Sequence, residues 1–476
     1  MRIIIRVETI TDWGESETVE LCKFERTIDE LAPENVGLSL DDGKDLLHKL
    51  QQVVIGAQSE EVCARRRFCS RCHRRLPLRD YRKRKVDTVF GTVAFRSARI
   101  VSCPCEPPYY LEIAYCPMSS YIPERATPEL LALQAKLSAL MPYRQVVATL
   151  REFLPVSETL NHVTVRNRAL RAGMRIDGVE RAASKRTESD IQWTLAIDGG
   201  FVRGNRKSEC SSFEVLTGRL ATRGRTPHVF AFVRNELPSA AERLATLVRS
   251  VTGSTHPKLS FITDGANGLQ AIASRLPFPV ESVLDWFHIS MRVRYLEQIV
   301  AGLRAITETE KAAKSTLVAR IKKLRWCFWH ANVQKAESRM REILLICRIV
   351  VPETPKFSES LAQLDYRTRE LVAYVESNGG STIPYGGRYR GGSSISTAMA
   401  ESAVNQVLNH RMCKRQQMRW SSRGAHLLAQ VRCAVINGDL NERLTLFRQR
   451  MNELPADVAG FLSQLQRVEE SLPQGF

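Results

Sequence analysis

Residues 193–204 have the sequence WTLAIDGGFVRG, and this stretch decides the fold class. It begins as an apolar run typical of a buried strand and ends on Asp198 and a pair of glycines. Two more strand-like runs follow it, SSFEVLTGRLATR and HVFAFVRN, with turn residues between them. The pattern predicts three strands that are neighbours in the chain.

Helix and strand signals alternate in the next part of the chain. We predict an amphipathic helix for PSAAERLATLVRSVTG, a strand running into Asp264 for KLSFITDGANG, and a helix for LQAIASRLP. A further strand is predicted for VESVLDWFHI, ending near Asp285 and His288, and a helix for SMRVRYLEQIVAGL. Because this chain order is that of the ribonuclease H-like fold, we expect an α/β catalytic domain of that class.

Two aspartates end predicted strands. Asp198 and Asp264 would lie close together if their strands are neighbours, since ligands gather at the carboxyl ends of strands in open α/β sheets. Paired carboxylates repel each other unless a cation lies between them, and hard oxygen ligands select Mg²⁺ or Mn²⁺. Two such ions about 4 Å apart support phosphoryl transfer. Either aspartate alone is more often a turn residue than a catalytic one, but their joint placement favours catalysis.

A third carboxylate should complete such a site. After Gly302 the chain is basic and helical, and a Gly-rich loop, SNGGSTIPYGGRYRGGSS, then leads into a helical pattern that carries Glu401. Glu401 is therefore a candidate third metal ligand. Composition leaves Glu370 and Glu376 open as alternatives.

A cysteine-rich segment predicts a second kind of metal site. Cys69 and Cys72 have zinc-ligand spacing, and Cys103, Cys105 and Cys116 follow them. Between the two groups, Phe90-Gly91 interrupts an alternating pattern typical of a β-hairpin. We expect a zinc-ribbon-like module with a structural Zn²⁺. The ligand set stays open, with Cys63 and His73 as outside candidates, and the alternative is a set of reduced core cysteines.

The basic surplus points to nucleic acid as the partner. The chain has 69 Lys and Arg against 51 Asp and Glu, a net charge of +18. Residues 1–64 hold 6 basic and 14 acidic residues, whereas residues 65–103 hold 13 and 2. A basic block of this kind suits a polyanion, although a solvated charged face would have the same composition.

Helical spacing dominates residues 124–180. The pattern of helix, short turn and basic helix is typical of helix-turn-helix DNA binding, and a plain helical linker would look similar. DNA-contacting candidates are Arg166, Arg168 and Arg171 here, and Arg411, Lys414 and Arg415 after Glu401. The chain start has no signal-peptide core, and no apolar run of membrane-spanning length occurs, so we expect a cytoplasmic, nucleoid-associated protein.

The chain resembles the DDE transposases of bacterial insertion sequences, and the Kra-type family in particular, through AIDGGF, FITDGANGL, LDWFHI and AESAVNQVLNHRMCKRQQMRWSSRGAHLL, in that order. The resemblance spans residues 65–440. It implies that Asp198, Asp264 and Glu401 are the three catalytic acidic residues. The DWFHI segment looks like an Asp-x-x-His signature, which implies that Asp285 and His288 position DNA or the scissile phosphate.

The resemblance also implies function and organisation. We expect a transposase that binds terminal inverted repeats, cleaves phosphodiesters and joins the exposed 3′-hydroxyl to target DNA, with a homo-oligomer holding two element ends. A ribonuclease H-like nuclease or resolvase without strand transfer, and a non-catalytic DNA-binding regulator, remain alternatives. The expected regions are an acidic N-terminal region (1–62), a zinc-ribbon-like module (63–120), a helix-turn-helix-like segment (124–185), a catalytic domain (191–300 and 391–440), a helical insertion between its parts (301–390) and a helical tail (441–476).

Overall fold

The computed structural model describes residues 1–105, 113–177, 191–206, 210–234, 240–265, 267–414, 416 and 418–453. These residues form a mixed α/β structure. Contacts within the chain divide it into two units, Met1–Met174 and Arg175–Phe476. The boundary falls in the last turn of a helix, α4, described below.

The first unit begins with two hairpins that flank a long helix. Strands β1 (Arg2–Ile10) and β2 (Ser16–Glu25) pair antiparallel, and helix α1 (Leu40–Arg65) follows. Strands β3 (Leu78–Thr88) and β4 (Gly91–Val101) form the second hairpin, and the short β5 (Ala114–Tyr115) pairs with the other edge of β4. The hairpin predicted around Phe90-Gly91 is confirmed, and Gly91 takes the positive φ of +105° that its turn requires.

Helix α1 covers the second hairpin and shares its core. Ile55 of α1 packs with Val86, Val93 and Phe95 of the strands. The helix runs across the boundary that we expected between an acidic region and a cysteine module at residue 62, because a capping box at Ser39 starts it and no breaker stops it before Arg66. The hairpin is therefore supported by an apolar core as well as by its cysteines.

Three helices complete the first unit: α2 (Pro128–Leu140), α3 (Tyr143–Phe153) and α4 (His162–Asp177). The helical prediction for this region is confirmed as far as Asp177, and residues 178–185 lie outside the described part. Pro142 begins α3, and Leu154-Pro155 ends it because the residue before a proline is driven out of the helical region.

The second unit is built on a five-stranded sheet. Strands β6 (Gln192–Arg203), β7 (Ser212–Ala221) and β8 (His228–Val233) form an antiparallel meander. Strands β9 (Lys258–Thr263) and β10 (Val280–Leu284) lie parallel to β6, which gives the order β10-β9-β6-β7-β8. Helices α5 (Ala240–Thr252) and α6 (Asn267–Ala273) cover one face.

The opposite face of the sheet packs against a helical region. It contains α7 (Trp286–Gly302), α8 (Glu308–Trp329), α9 (Val333–Ile349), α10 (Pro355–Asn378) and α11 (Tyr385–Arg390). Apolar residues at helical spacing on α7, among them Ile289, Val293 and Leu296, share one core with Ala196 and Ile262 of the sheet. The predicted helical character of residues 301–390 is confirmed.

Three further helices return to the sheet. Helix α12 (Ala398–Val404) continues into a π-helical turn, Asn405–Asn409, and α13 (Ser422–Asn437) and α14 (Leu440–Glu453) follow. Helix α12 packs on β6 and β7, and α13 packs on β8. Of the helices in the described ranges, none is both long and apolar enough to cross a membrane.

One strand prediction was wrong at its end. We predicted that the β10 segment would extend to Asp285 and His288, but β10 stops at Leu284. Asp285 is instead the N-cap of α7, where its side chain accepts the backbone N–H of Phe287 at 2.6 Å. Aspartate is among the best N-cap residues, so it starts a helix at this point and places His288 in the first turn.

Candidate active site at the acidic edge and a four-cysteine site

Three aspartates lie at the same level of the sheet, just past the point where the parallel pairing of β6, β9 and β10 ends. Ala196 of β6 pairs with Ile262 of β9, and Asp198 and Asp264 each lie two residues further along. Thr263 of β9 pairs in turn with Leu284 of β10, so Asp264 and Asp285 each directly follow that pair. We call Asp198, Asp264, Asp285, His288 and Glu401 the acidic edge.

Asp198 lies in surroundings that disfavour its charge. Burial raises the pKa of its carboxyl above the ordinary value, and the negative charges of Asp264 and Glu401 raise it further. The backbone N–H of Gly199 donates to Oδ1 at 2.8 Å and only partly offsets this. A cation between the carboxylates would relieve the repulsion. Asp198 and Asp264 are therefore near enough to act on one another.

Asp285 is buried and held by three donors. Its carboxylate accepts hydrogen bonds from the Phe287 N–H, from the Thr397 hydroxyl at 2.5 Å and from His288 Nδ1 at 2.9 Å. Burial alone would raise the pKa of Asp285, but these bonds lower it below its ordinary value. The same bond raises the pKa of His288. The hydrogen bond thus fixes the imidazole ring of His288 with Nδ1 toward Asp285. The other ring nitrogen, Nε2, does not contact Asp285.

Glu401 joins this pair. Single ligand atoms of Asp285, His288 and Glu401 all lie within 4.8 Å of one another. In the part of the chain that the structure describes, neither Asp198 nor Asp264 belongs to that close group. The structure thus brings Glu401 closest to the two residues predicted to position the substrate, and Asp198 and Asp264 face each other from neighbouring strands.

The competing glutamates have other surroundings. Glu370 accepts a 2.7 Å hydrogen bond from Arg367 on the same helix, α10, and Glu376 is exposed. Neither belongs to the close group at the acidic edge. The geometry therefore favours Glu401 among the three candidates.

Two buried contacts set the position of the Glu401 helix. Arg432 of α13 donates from Nε to the carbonyl of Val407 at 2.6 Å and also donates to the carbonyl of Gln406, both in the π-helical turn after α12. Burial lowers the pKa of Arg432 to about 10. A π-helical turn breaks the regular hydrogen-bond pattern, so these donors satisfy carbonyls that the turn leaves exposed. Sequence reasoning missed Arg432 and Thr397, since neither lies in a recognisable motif.

The four-cysteine site lies at the base of the β3–β4 hairpin. The Sγ atoms of Cys69, Cys72, Cys103 and Cys105 all lie within 4.8 Å of one another, with 3.4 Å between Cys69 and Cys105 and 3.5 Å between Cys72 and Cys103. All four are free thiols. Tetrahedral zinc with bonds of about 2.3 Å needs sulfurs in this range, so the donor set fits Zn²⁺.

The turn between the first two cysteines prepares them for a metal. The backbone N–H of Arg71 donates to Cys69 Sγ at 3.4 Å, and His73 takes a positive φ of 56°. Hydrogen bonding from the backbone of Arg74, followed by that from the neighbouring thiols, lowers the pKa of Cys72 to about 7. Thiolate is the form that binds zinc.

Cys116 is outside this group, and its prediction as a zinc ligand was wrong. Its Sγ lies 2.8 Å from the Ser97 hydroxyl and accepts a hydrogen bond from Arg84 at 3.2 Å. Both cysteines of the Cys-x-Cys pair, which follows the end of β4 at Val101, belong to the group. Cys63 and His73 are also absent from the group.

Several predicted DNA contacts are occupied within the protein. Arg168 is buried and pairs with Asp87 at 2.5 Å, and Arg171 pairs with Glu124 at 3.3 Å. Arg411 is fully buried, with its guanidinium 5.3 Å from the centre of the Trp420 ring. The prediction is wrong for the buried Arg168 and Arg411, because a buried guanidinium cannot reach a phosphate. Lys414 is exposed, Arg166 is half-buried, and Arg415 lies outside the described residues.

Comparison of the chain with models of protein families finds no family that matches it, and a search of curated proteins finds no significant match. The geometry of the acidic edge and of the four-cysteine site is therefore the physical basis for assigning a function.

Proposed function

We propose that the chain is a DDE-type DNA transposase with a ribonuclease H-like catalytic domain in its second unit. One observation carries the proposal: Asp198 and Asp264 lie at the same level, two residues past the last pair of the parallel strands β6 and β9, and the charges of Asp264 and Glu401 both act on the carboxyl group of Asp198. The strand order β10-β9-β6-β7-β8, with β7 as the antiparallel strand, is that of ribonuclease H-like sheets and supports this class.

The acidic edge suits Mg²⁺ or Mn²⁺. Carboxylate oxygens dominate its donor set. Burial and, after it, the charges of Asp264 and Glu401 raise the pKa of Asp198, and a divalent cation would remove the repulsion between these carboxylates. Asp198 would bridge two ions, and Asp264 and Glu401 would each hold one. When bound, such ions activate an attacking water or 3′-hydroxyl and stabilise the leaving oxygen of a phosphodiester.

His288 and Asp285 would orient the substrate and handle a proton. Asp285 fixes the ring through Nδ1, and His288 Nε2 would then meet the scissile phosphate or the attacking hydroxyl. The Thr397 hydroxyl keeps Asp285 ionised and immobile by donating to the same oxygen as His288. The raised pKa of His288 favours the protonated, anion-attracting form.

The remaining parts of the proposal concern binding. The four-cysteine site would hold a structural Zn²⁺, and the basic hairpin beside it would contact DNA phosphates. The partners would be the terminal inverted repeats and target DNA, with a homo-oligomer holding two ends, in the cytoplasm near the nucleoid.

Incubation with DNA and metal tests the activity. The full chain is mixed with Mg²⁺, a supercoiled target plasmid and DNA carrying the sequences that flank its coding region, where an insertion sequence has its terminal repeats. Joined products support the transposase. Cleavage without joining indicates a nuclease or resolvase, and binding without cleavage at any metal concentration indicates a DNA-binding regulator.

A further inference from the structure

A cleft with a volume of about 710 Å³ opens between α7 and α8. Three tryptophans line it, together with the apolar Val300, Val318 and Ile321. The tryptophans are Trp286, Trp326 and Trp329. A cleft of this volume lies within the range of small-molecule and nucleotide sites. The acidic edge does not use it.

The aromatic wall is preformed. The rings of Trp286 and Trp329 lie 4.8 Å apart at 64°, and Trp286 also packs against Tyr385 at 5.1 Å. Trp326 is 59% exposed and stacks on His330 with an interplanar angle of 16°. Among the described residues, no side chain or backbone group accepts a hydrogen bond from the indole N–H of any of the three. The wall therefore offers flat apolar faces with unused donors beside them.

Positive charge surrounds these rings. Arg294, Lys322 and Arg325 line the cleft, and the carboxylate lining it, Glu297, lies 3.7 Å from Arg294. Lys322 and Arg325 are exposed and form no salt bridge within the described ranges. Flat rings beside cations match a nucleotide, whose base stacks and whose phosphate is anionic. A purely apolar peptide would leave these two cations uncompensated.

The position of the cleft indicates which part of a nucleic acid it would bind. Trp286 directly follows Asp285 of the acidic edge, and the other α7 residues of the cleft lie toward the far end of that helix. Base faces are covered in a duplex, so indole rings can stack only on unpaired bases. We propose that the cleft binds unpaired bases of a DNA strand adjacent to the cleavage site. The identity of the strand as DNA rests on the proposed function.

Binding of a short labelled oligothymidine to the full chain, in metal-free buffer, tests the inference by fluorescence anisotropy. We expect Trp326→Ala to weaken binding about 5-fold or more, because stacking of one base on one aromatic ring contributes at least that much. Trp13→Ala is the matched control, since Trp13 is 51% exposed and lies on the β1–β2 hairpin of the other unit. Trp326→Phe, which keeps a stacking face, should recover most of the affinity.

Two further arms separate stacking from simple charge attraction. An abasic strand of equal length should bind the wild-type chain as weakly as oligothymidine binds Trp326→Ala. The double variant Lys322→Gln, Arg325→Gln should make the slope of log binding constant against log salt concentration less steep by about 1.4. Each of the two lost phosphate contacts accounts for about 0.7 of this change. The control pair Lys335→Gln with Arg348→Gln, exposed on α9, should leave it unchanged. Equal binding by Trp326→Ala and Trp13→Ala, or by the abasic strand and oligothymidine, would overturn the inference.

The two proposals fail in different ways. Asp198→Ala should bind oligothymidine normally, because the cleft does not include Asp198. If oligothymidine binding depends on Trp326 but the chain cleaves no DNA, only the proposed function is contradicted. If the chain cleaves and joins DNA normally but its affinity for the single strand does not depend on Trp326, only the proposed role of the cleft is contradicted.

Discussion

Gly200 lies against Leu408, so closely that a Cβ atom on Gly200 would be 2.4 Å from Leu408 Cδ1. Gly200 is two residues beyond Asp198 on β6, and Leu408 lies in the π-helical turn after the Glu401 helix. The absence of a side chain at Gly200 lets this turn approach the strand. The turn that follows the Glu401 helix can therefore lie directly on the strand that carries Asp198.

The contact between Gly200 and Leu408 predicts that a single added methyl group at Gly200 destabilises the protein. Gly200→Ala should lower the free energy of unfolding by about 1–3 kcal/mol, as overpacking of a buried site does, and should reduce DNA cleavage. Gly387→Ala is the control, because a Cβ there meets no atom within 4 Å. In a Leu408→Ala background the added methyl has room, so Gly200→Ala should cost less there. Equal costs in both backgrounds would show that the contact is not the constraint.

Removal of one of the carboxylates proposed to bind metal should abolish DNA cleavage without changing DNA affinity. Asp198→Ala, Asp264→Ala and Glu401→Ala should each lower the cleavage rate about 100-fold or more while leaving DNA affinity unchanged, because the proposed function has the three carboxylates act, through metal ions, on the reacting phosphate. Glu376→Gln, an exposed carboxylate outside the site, should have no effect. Rates come from gel assays and affinities from anisotropy. Normal cleavage by any of the three variants would remove that residue from the site.

The four-cysteine site predicts a zinc content of one ion per chain. Cys72→Ser should abolish bound zinc, measured by atomic emission of the purified chain, because a structural site needs four ligands. Cys116→Ser should retain the ion, since Cys116 contacts Ser97 and Arg84 instead. The fold of the first unit should survive partly in Cys72→Ser, because Val86, Val93 and Phe95 pack on α1 independently of the cysteines. Zinc loss from Cys116→Ser alone would reverse the assignment.

A partly buried ion pair in the second unit predicts a pH-dependent stability. Asp177 accepts hydrogen bonds from Arg243 and from His426 Nε2, the latter at 3.1 Å. Burial would raise the pKa of Asp177, but these partners lower it to about 2. This value lies below the ordinary one of about 3.9, so the stabilisation is fully present above about pH 4 and is lost as pH falls toward 2.

Urea unfolding of Asp177→Asn measures this contribution. The variant should be less stable than wild type by about 2 kcal/mol near pH 6, and the difference should shrink steadily below pH 4. Asp365→Asn removes a single pair with Arg369 four residues away on the same helix, without a histidine partner, and should cost at most about 0.5 kcal/mol. A difference for Asp177→Asn that is constant with pH would exclude the ion pair as its cause.

Local sequence patterns predicted most strands and helices, but not which distant residues contact one another. The apolar runs of β6 and β9 and the helical spacing after Gly302 depend on periodicity, which the sequence displays directly. The level placement of Asp198 and Asp264 was expected from two strand ends, but only β9 ends there: β6 continues past Asp198 to Arg203, where it pairs with β7. Residue type alone could not show that Asp285 would cap a helix in place of extending β10.

The residues whose roles were predicted wrongly or missed are those whose contacts lie far away in the sequence. Arg168 seemed available to DNA because its partner, Asp87, is 81 residues away and nothing local indicates the pair. Cys116 and Cys105 were both candidate zinc ligands, and only the folded contacts separate them: Cys105 lies against Cys69 and Cys103, and Cys116 against Ser97 and Arg84. Arg432 carried no signal, since its role depends on carbonyls of a π-helical turn that only the folded chain contains.

Anomalous diffraction from crystals of the full chain soaked in Mn²⁺ tests the central claim most directly. We predict manganese peaks at about 2 Å from carboxylate oxygens of Asp198, Asp264 and Glu401, with Asp198 touching both ions. Manganese bound only by Asp285, His288 and Glu401, with Asp198 and Asp264 making no contact to an ion, would contradict the two-metal site.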